Sequence, residues 1–218
     1  MVGRSVQMTE QLYDYVKRHT TGEDSLLTEL AAETRKLGGV SGMQIDFVQG
    51  AFMALLVRAT GARSALELGT FTGYSAICVA RALPSDGRLL CCDISQEWTA
   101  IARRYWERAG LTHKITLKLA PALETLRALP PDTSFDFTFI DADKEQYQTY
   151  YEEVLKRTRP NGLIVLDNVL QRGQVVETRA ASANLAGIRA VNDLIARDER
   201  VDAVMLPLAD GITIVRKK

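Results

Sequence analysis

From Ala65 onward, the chain alternates short apolar runs with longer amphipathic stretches, and this alternation constrains the fold more than any other feature. Runs rich in Leu, Ile, Val and Phe are typical of strands buried on both faces of a parallel sheet. The amphipathic stretches between them predict helices that cover both faces of that sheet. Five such strands are predicted, at residues 65–68, 88–92, 115–119, 135–140 and 163–166.

The two ends of the chain follow different patterns. Strand-like runs at 201–206 and 212–215 are joined by a turn-rich link that contains Asp210-Gly211, which predicts an antiparallel hairpin at the end of the sheet. Residues 7–60 predict three helices, separated by 20–22 and by the glycine-rich segment 38–42, which we expect to be a loop. The segment 170–182 is assigned to no helix or strand.

The predicted fold is therefore α/β: a doubly wound, Rossmann-like, seven-stranded and mostly parallel sheet with an antiparallel C-terminal hairpin and helices on both faces. Residues 1–218 are expected to form a single domain, with extra N-terminal helices (1–60) as a cap and a core at 61–218. The length suits one domain, and no internal repeat or long linker divides the chain.

Composition narrows the class of partner and the cellular compartment. The 27 basic residues balance 27 acidic ones, so the net charge does not indicate a nucleic-acid partner. Three cysteines are an odd number, and two are adjacent in an apolar run, so we expect reduced, buried thiols. No run of about 20 apolar residues or signal-peptide core is evident. We expect a cytoplasmic protein without nucleic-acid or membrane partners.

The first strand leads into a turn, Glu67-Leu-Gly-Thr-Phe-Thr-Gly73, that predicts a cofactor site. Gly69 and Gly73 allow a ligand to approach the backbone, and Asp93, at the end of the next strand, suits ribose hydroxyls. The triple-glycine pattern of dinucleotide-binding folds is absent, whereas the acid Glu67 suits the positive charge of S-adenosylmethionine. The alternative is that the glycines only shape a turn and Asp93 only caps a helix.

Polar side chains end the fourth and fifth strands: Asp141-Ala-Asp-Lys144 and Asp167-Asn168. Because parallel strands end at the same edge, their oxygens can converge. Asp141, Asp167 and Asn168 offer three hard oxygen ligands, a set that favours Mg²⁺, with Mn²⁺ or Ca²⁺ as alternatives, over Zn²⁺. Open positions on such an ion could take two neighbouring oxygens of a catechol. Each residue taken singly could instead be a helix N-cap.

Three motifs resemble those of the cation-dependent O-methyltransferases of the caffeoyl-CoA and catechol type, a family that depends on S-adenosylmethionine. They are Glu67-Leu-Gly-Thr-Phe-Thr-Gly-Tyr-Ser75, Asp141-Ala-Asp-Lys144 and Asp167-Asn-Val-Leu170. Ala120-Pro-Ala-Leu123 and Ala209-Asp-Gly211 match as well, and the likeness extends from about Met43 to the C-terminus. In many members an aromatic and a small or acidic residue follow the third motif. Here Gln171-Arg172 follow it, which leaves the acceptor open.

The resemblance implies roles for individual residues. Those expected to line the S-adenosylmethionine site are Met43 (near the methyl group), Glu67, Gly69, Thr70, Ser75, Asp93, Ala122, Asp141 and Asp143. Asp141, Asp167 and Asn168 would hold the metal. Asp141 and Lys144 would be catalytic, with Lys144 beside the substrate hydroxyl as a base or an electrostatic stabiliser.

The expected reaction is direct methyl transfer to one hydroxyl of a phenolic, catechol-like small molecule such as a caffeoyl compound, with no covalent enzyme intermediate. The resemblance also implies a homodimer. The alternatives are a metal-independent methyltransferase, a nucleic-acid methyltransferase, another nucleotide-binding Rossmann enzyme such as a nicotinamide oxidoreductase, and a binding module without chemistry. Arg172 could bind an acidic or phosphorylated acceptor, or be a solvated surface charge.

Overall fold

Seven strands and eight α-helices account for most of the described chain in the computed structural model, which describes residues 6–22, 24–178 and 182–218. The strands are β1 (Ser64–Leu68), β2 (Arg88–Asp93), β3 (Ile115–Leu119), β4 (Phe135–Ile140), β5 (Thr158–Leu166), β6 (Val201–Leu206) and β7 (Ile212–Lys217). The helices are α1 (Glu10–Arg18), α2 (Ser25–Arg35), α3 (Phe47–Ala59), α4 (Tyr74–Ala82), α5 (Gln96–Arg108), α6 (Ala122–Ala128), α7 (Tyr147–Arg157) and α8 (Ala183–Ala196). Short 3-10 helices lie at Gly38–Met43, Lys144–Gln146 and Gln171–Val176.

All seven strands form one sheet in the order β3-β2-β1-β4-β5-β7-β6. The first five are parallel to their neighbours, whereas β7 runs antiparallel to both β5 and β6. The predicted Rossmann-like sheet with an antiparallel C-terminal hairpin is confirmed. Because β2 and β4 lie on opposite sides of β1, the strand order reverses there, which opens a crevice at the carboxyl ends of the strands.

Two hydrophobic cores lie on opposite faces of the sheet. On β1, Ala65 belongs to the core shared with α2, α3, α4 and α5, and Leu66 to the core shared with α6, α7 and α8. This alternation follows from the two-residue period of a strand and confirms helices on both faces. α2 and α3 contribute buried residues to the first core, among them Leu30 and Met53. The three cysteines are free and buried, as predicted.

Several elements differ from the prediction, and two of the differences are one-residue extensions, because β1 begins at Ser64 and β2 ends at Asp93. The segment 38–42, expected to be a loop, belongs to the 3-10 helix Gly38–Met43. β7 extends to Lys217. β5 begins at Thr158 instead of residue 163, although Pro160-Asn161-Gly162 has turn composition. The pairing of β4 with β5 shifts register between Phe135 and Phe137, and Asn161 has a φ of 62°, so an irregular stretch inside the strand accommodates the turn residues.

Segment 38–59 is the exception to the expectation that no apolar run has the length of a membrane span. Gly38–Ala59 meets the length and composition criteria, with a mean hydropathy of 1.4 in its most apolar window. The segment is nevertheless divided, because its 3-10 helix ends at Met43 and α3 begins at Phe47. The 13 residues of α3 span about 20 Å, less than the roughly 30 Å of a bilayer core. Met53 and Val57 are buried, as in a core helix.

Candidate active site

A cavity of about 1220 Å³ opens at the carboxyl ends of β1, β2, β4 and β5. Its wall includes every predicted site residue except Glu67 and Asp167. Those that line it are Met43, Gly69, Thr70, Ser75, Asp93, Ala122, Asp141, Asp143, Lys144 and Asn168. The structure therefore brings the predicted cofactor, metal and catalytic residues to one crevice, at the point where the strand order reverses.

The turn after β1 approaches the end of β4 so closely that only glycine fits at position 69. Gly69 has a φ of 86°, in the left-handed region, and a Cβ placed on it would lie 2.2 Å from the carbonyl oxygen of Asp141. Gly69 N–H donates to the carbonyl of Cys92, and Asp141 N–H donates to the carbonyl of Leu68. The turn is thereby fastened to both neighbouring strand ends, so the residues predicted to bind the cofactor and those predicted to bind a metal are joined by backbone contacts.

Asp93 links the first two strand ends through its carboxylate. Its Oδ2 accepts the N–H groups of Thr70 and Phe71, each at 2.8 Å, and its Oδ1 accepts the N–H of Ser95 at 2.7 Å. A carboxylate oxygen has more than one lone pair, so these bonds leave acceptor capacity toward the cavity. Asp93 can therefore shape the turn while it receives hydroxyl donors. It is not the cap of the following helix, because Ser95 is the N-cap of α5.

Glu67 is fully buried and lies behind the cavity wall. The Cys91 thiol is 3.8 Å from its Oε1, and its Oε2 has no hydrogen-bond partner among the described residues. Burial raises the pKa of Glu67 to about 8. A carboxyl group in this state is ready to ionise when positive charge comes near it. This position favours an electrostatic role toward a cofactor rather than a place in the wall.

Lys144 and Asp141 form an ion pair at the end of β4. The Nζ of Lys144 donates to Oδ1 of Asp141 at 2.5 Å, and both side chains are only 15% exposed. Gly187 of α8 fixes the Lys144 backbone from the other side, because a Cβ at that glycine would lie 2.2 Å from the carbonyl oxygen of Lys144. Close packing of α8 on this segment thus holds the ammonium at the cavity wall.

The neighbouring Asp143 is oriented by two donors from the segment that follows it. Its Oδ1 accepts the hydroxyl of Tyr150 at 2.9 Å, and its Oδ2 accepts the amide of Gln146 at 2.8 Å. Tyr150 is itself nearly buried and lines the cavity. The side chain of Asp143 is therefore preorganised, which suits a contact with a bound cofactor.

Asp167 and Asn168 lie at the end of β5, beside Asp141. Asp167 is 2% exposed, and its Oδ1 accepts the N–H of Asn168 at 2.7 Å. The Tyr147 hydroxyl lies 3.1 Å from the carbonyl oxygen of Ile140 and 3.2 Å from that of Asp167, so its one proton is shared between the two strand ends. Burial raises the pKa of both Asp141 and Asp167, and the charge of Asp141 adds to the rise at Asp167. Two carboxyl groups thus share a site that disfavours their negative charge.

The set of possible metal ligands here is smaller than that of a site in which the protein supplies every ligand. Among residues 6–22, 24–178 and 182–218, no three His, Cys, Asp or Glu side chains converge as metal ligands. The predicted set contains two carboxylates, and its third oxygen would come from the Asn168 amide. Mg²⁺ commonly keeps several waters and takes only one or two carboxylates, so the set fits that ion better than one that needs a full cage.

Several cavity residues were not predicted. Phe71 and Trp98 meet edge to face with ring centroids 5.1 Å apart, and both line the cavity together with Ile94, which is 77% exposed. Sequence alone does not assign Trp98 to the site, because an aromatic residue on a helix that packs against a sheet is more often core. Four polar wall residues lie outside the motifs and carry no recognisable pattern: Gln44, Gln171, Gln174 and Asn184.

Comparison with known proteins agrees with this geometry. A family model described as O-methyltransferase matches residues 17–218. The chain is 40% identical over 216 residues to "Probable caffeoyl-CoA O-methyltransferase 1" of Dictyostelium discoideum, a match that covers 97% of this chain and 94% of the relative. It is 39% identical over 226 residues to "Caffeoyl-CoA O-methyltransferase 2" of Zea mays, with 98% and 85% covered.

Solved structures agree as well. An O-methyltransferase from Bacillus cereus in complex with SAH superposes with a TM-score of 0.87 at 35% identity, covering 94% of this chain and 96% of the other. The O-methyltransferase TomG from Streptomyces achromogenes, in complex with SAM, gives 0.89 at 30% identity, covering 97% and 100%. These comparisons do not support the alternatives of a nicotinamide oxidoreductase and of a binding module without chemistry. The resemblance seen in the motifs is confirmed, and the chain belongs to the O-methyltransferase family as an enzyme that depends on S-adenosylmethionine.

Proposed function

We propose that this enzyme methylates one hydroxyl of a vicinal-dihydroxy aromatic small molecule in a reaction that requires a divalent cation, with Mg²⁺ the first choice. The observation that carries the proposal is the pair of carboxyl groups at adjacent strand ends, the buried Asp167 and the largely buried Asp141, whose pKa values are both raised by desolvation. The printed names of relatives from Dictyostelium discoideum and Zea mays include caffeoyl-CoA, which supports a phenolic acceptor.

Electrostatics favours a cation at this place. Desolvation opposes ionisation of Asp141 and Asp167, and the charge of Asp141 further raises the pKa of Asp167. The Lys144 ammonium contacts only Asp141 among these groups, so one carboxyl of the pair has no cationic partner within the described residues. Asp141, Asp167 and the amide oxygen of Asn168 would hold the cation. The ion would supply positive charge that favours the ionised form of a bound hydroxyl.

Individual residues of the protein then have distinct roles in methyl transfer. S-adenosylmethionine supplies the methyl group on a positively charged sulfur. The turn at Gly69, with Asp93 and Asp143, orients the bound cofactor along the sheet edge. Lys144 keeps a positive charge at the acceptor hydroxyl and stabilises the oxygen as it loses its proton. The closely packed backbone around Gly69 and Gly187 fixes these groups relative to one another, so alignment is a large part of the expected rate enhancement.

The test is methyl transfer from labelled S-adenosylmethionine to caffeoyl-CoA and to simple catechols, with Mg²⁺ and again with excess chelator. We expect turnover with Mg²⁺, its loss on chelation and its return when Mg²⁺ is restored. A monohydroxy analogue of each acceptor is the control and should be a poor substrate. Equal turnover with and without chelator would contradict the metal requirement, and equal turnover of the monohydroxy analogues would contradict the vicinal-diol acceptor.

Glu67 predicts a pH dependence of cofactor binding. Its pKa of about 8 means that the carboxyl is mostly protonated at pH 7, and positive charge on a bound cofactor favours ionisation. Binding at pH 7 should therefore release a proton, and affinity should rise with pH until about pH 8. The stability of the folded protein without cofactor changes with pH in the opposite direction. A pKa raised from 4.5 stabilises the unliganded protein most at low pH, and that contribution is lost as pH rises through 8.

Calorimetry of cofactor binding at pH 7, in buffers with different ionisation enthalpies, measures this proton directly. The wild-type protein should show a buffer-dependent binding enthalpy, and Glu67→Gln should show much less of it. The substitution should also weaken binding by roughly 10-fold, the effect of about 1.4 kcal/mol. Identical proton release from both proteins would assign the titration to another group.

A further inference from the structure

The cavity has two chemically different ends. Toward β2 its wall is apolar and aromatic, with Phe71, Ile94 and Trp98. Toward β5 and β7 it is built from the segment that follows β5, the start of α8 and the segment that precedes β7, and there it is polar. The residues at this polar end are Asn168, Gln171, Arg172, Gln174, Asn184 and Asp210. A cofactor held at Asp93 lies at the first end, so the polar end is where the acceptor would extend.

The segment that carries Arg172 is held in a defined conformation. Gln171 and Arg172 have φ values of 45° and 53°, in the left-handed region that non-glycine residues rarely adopt. The Arg172 N–H donates to Oδ1 of Asp210 at 2.5 Å, and Leu170 N–H donates to the Asp210 carbonyl at 3.0 Å. Such backbone conformations persist only where surrounding contacts hold them.

Arg189 of α8 fixes the other end of the same segment. Its guanidinium donates to the carbonyls of Val175 at 3.0 Å and Gln174 at 2.9 Å. Because both ends are fastened, Arg172 is presented at the cavity wall by a fixed stretch of backbone and not by a freely moving loop.

Arg172 also differs from the other charged residues of the wall. Lys144 is paired with Asp141. Asp93 and Asp143 accept hydrogen bonds from the turn and from Tyr150 and Gln146, and Asp210 accepts one from the Arg172 backbone. The guanidinium of Arg172 has no hydrogen bond or ion pair with any residue in the described part of the chain. It is thus an exposed cation at the cavity wall, with no partner among the residues that the structure describes.

We propose that Arg172 binds an anionic group of the acceptor, so that the preferred substrate is an acidic vicinal-dihydroxy compound; this inference rests on the function proposed above. The planar guanidinium donates two parallel hydrogen bonds to a carboxylate or phosphate, a geometry that Lys cannot copy. The amide side chains around it can receive the remaining polar groups of the same acceptor. Recognition at this end would hold the diol at the strand ends near Asp141 and Lys144.

The experiment compares acceptors that share a catechol ring but differ in charge. Caffeate is paired with its neutral methyl ester, and caffeoyl-CoA with a neutral short-chain thioester, in wild type, Arg172→Gln and Arg172→Lys. Arg103→Gln is the control, because Arg103 is an exposed arginine of α5 outside the cavity. For each pair we compare kcat/KM for the acidic acceptor with kcat/KM for the neutral one. We expect this ratio to be about 10 or more in wild type and Arg103→Gln, near 1 in Arg172→Gln and intermediate in Arg172→Lys.

The two pairs distinguish the sources of the anion. Selectivity within the caffeate pair assigns a carboxylate to Arg172, and selectivity within the thioester pair assigns the phosphates of the CoA moiety. Binding of the same four acceptors to the enzyme loaded with S-adenosylhomocysteine is measured in parallel by calorimetry. This readout does not depend on turnover.

The outcomes separate this inference from the proposed function. Arg172-dependent binding of the acids without methyl transfer would support the anion site and overturn the catechol reaction. Turnover with ratios that Arg172→Gln leaves unchanged would overturn the anion site and leave the reaction standing. Absence of both turnover and Arg172-dependent binding would overturn both.

Discussion

Replacing Gly69 with alanine is expected to abolish methyl transfer and to lower the free energy of unfolding by roughly 2–4 kcal/mol. Two physical effects add at this position. The φ of 86° costs an L-residue roughly 1–2 kcal/mol, and the new Cβ would meet the carbonyl oxygen of Asp141 at 2.2 Å. Backbone oxygen cannot rotate away, so the turn and the end of β4 must separate. Cofactor residues and Asp141 would then lose their alignment.

Gly110→Ala is the matched control. Gly110 also has a positive φ, 68°, but a Cβ placed there has nothing within 4 Å. It should therefore show only the backbone cost, about 1 kcal/mol, with normal activity. Urea denaturation and cofactor titration of the two variants make the comparison. Equal stability losses and equal cofactor affinities would show that the close contact at Gly69 has no special effect.

Replacing Lys144 with methionine is expected to lower kcat by roughly 10²–10⁴-fold, the usual range for removing a group that assists proton transfer or stabilises developing charge. The side chain stays unbranched and is one atom shorter, and it loses the ammonium that donates to Asp141 at 2.5 Å. Cofactor affinity should change little, because the cofactor contacts expected of the turn and of Asp93 remain. Single-turnover rates with saturating cofactor isolate the chemical step from product release.

Lys156→Met is the control for this substitution. Lys156 forms a comparable ion pair with Glu153, three residues away on α7, but it is 62% exposed and lies outside the cavity wall. Loss of an exposed pair of this kind costs about 0–1 kcal/mol of stability and should leave kcat unchanged. If the two variants had the same kcat, Lys144 would be a structural residue only.

Much of the fold could be predicted because its signals are local. The ends of β3, β4 and β6 match the predicted runs, although only β4 is largely buried. The early start of β5 could not be predicted, because Pro160-Asn161-Gly162 has turn chemistry, and only the pairing of β5 with β4 makes it part of a strand. The 3-10 helix at Gly38–Met43 could not be predicted either, because glycine composition predicts a break in regular structure but not its geometry.

The site could be predicted where strand ends carry motifs and not elsewhere. Asp141, Asp167 and Asn168 follow buried strands, so parallel topology alone brings them to one edge. The position of Glu67 behind the wall depends on the face of β1 to which it points. The left-handed conformation of Gln171 and Arg172 depends on Asp210, which is distant in sequence. Contacts of this kind follow from tertiary structure and have no local signature.

The proposed metal site is tested most directly by measuring the binding of Mn²⁺, a paramagnetic substitute for Mg²⁺, with electron paramagnetic resonance. The protein with S-adenosylhomocysteine and a catechol should bind about one ion per chain, because one set of oxygens is proposed. Asp141→Asn and Asp167→Asn should each abolish most of that binding. Asp202→Asn should not, because Asp202 is an exposed carboxylate paired with Arg216. Absence of bound Mn²⁺ in the wild-type protein, or binding that survives both site substitutions, would contradict the account.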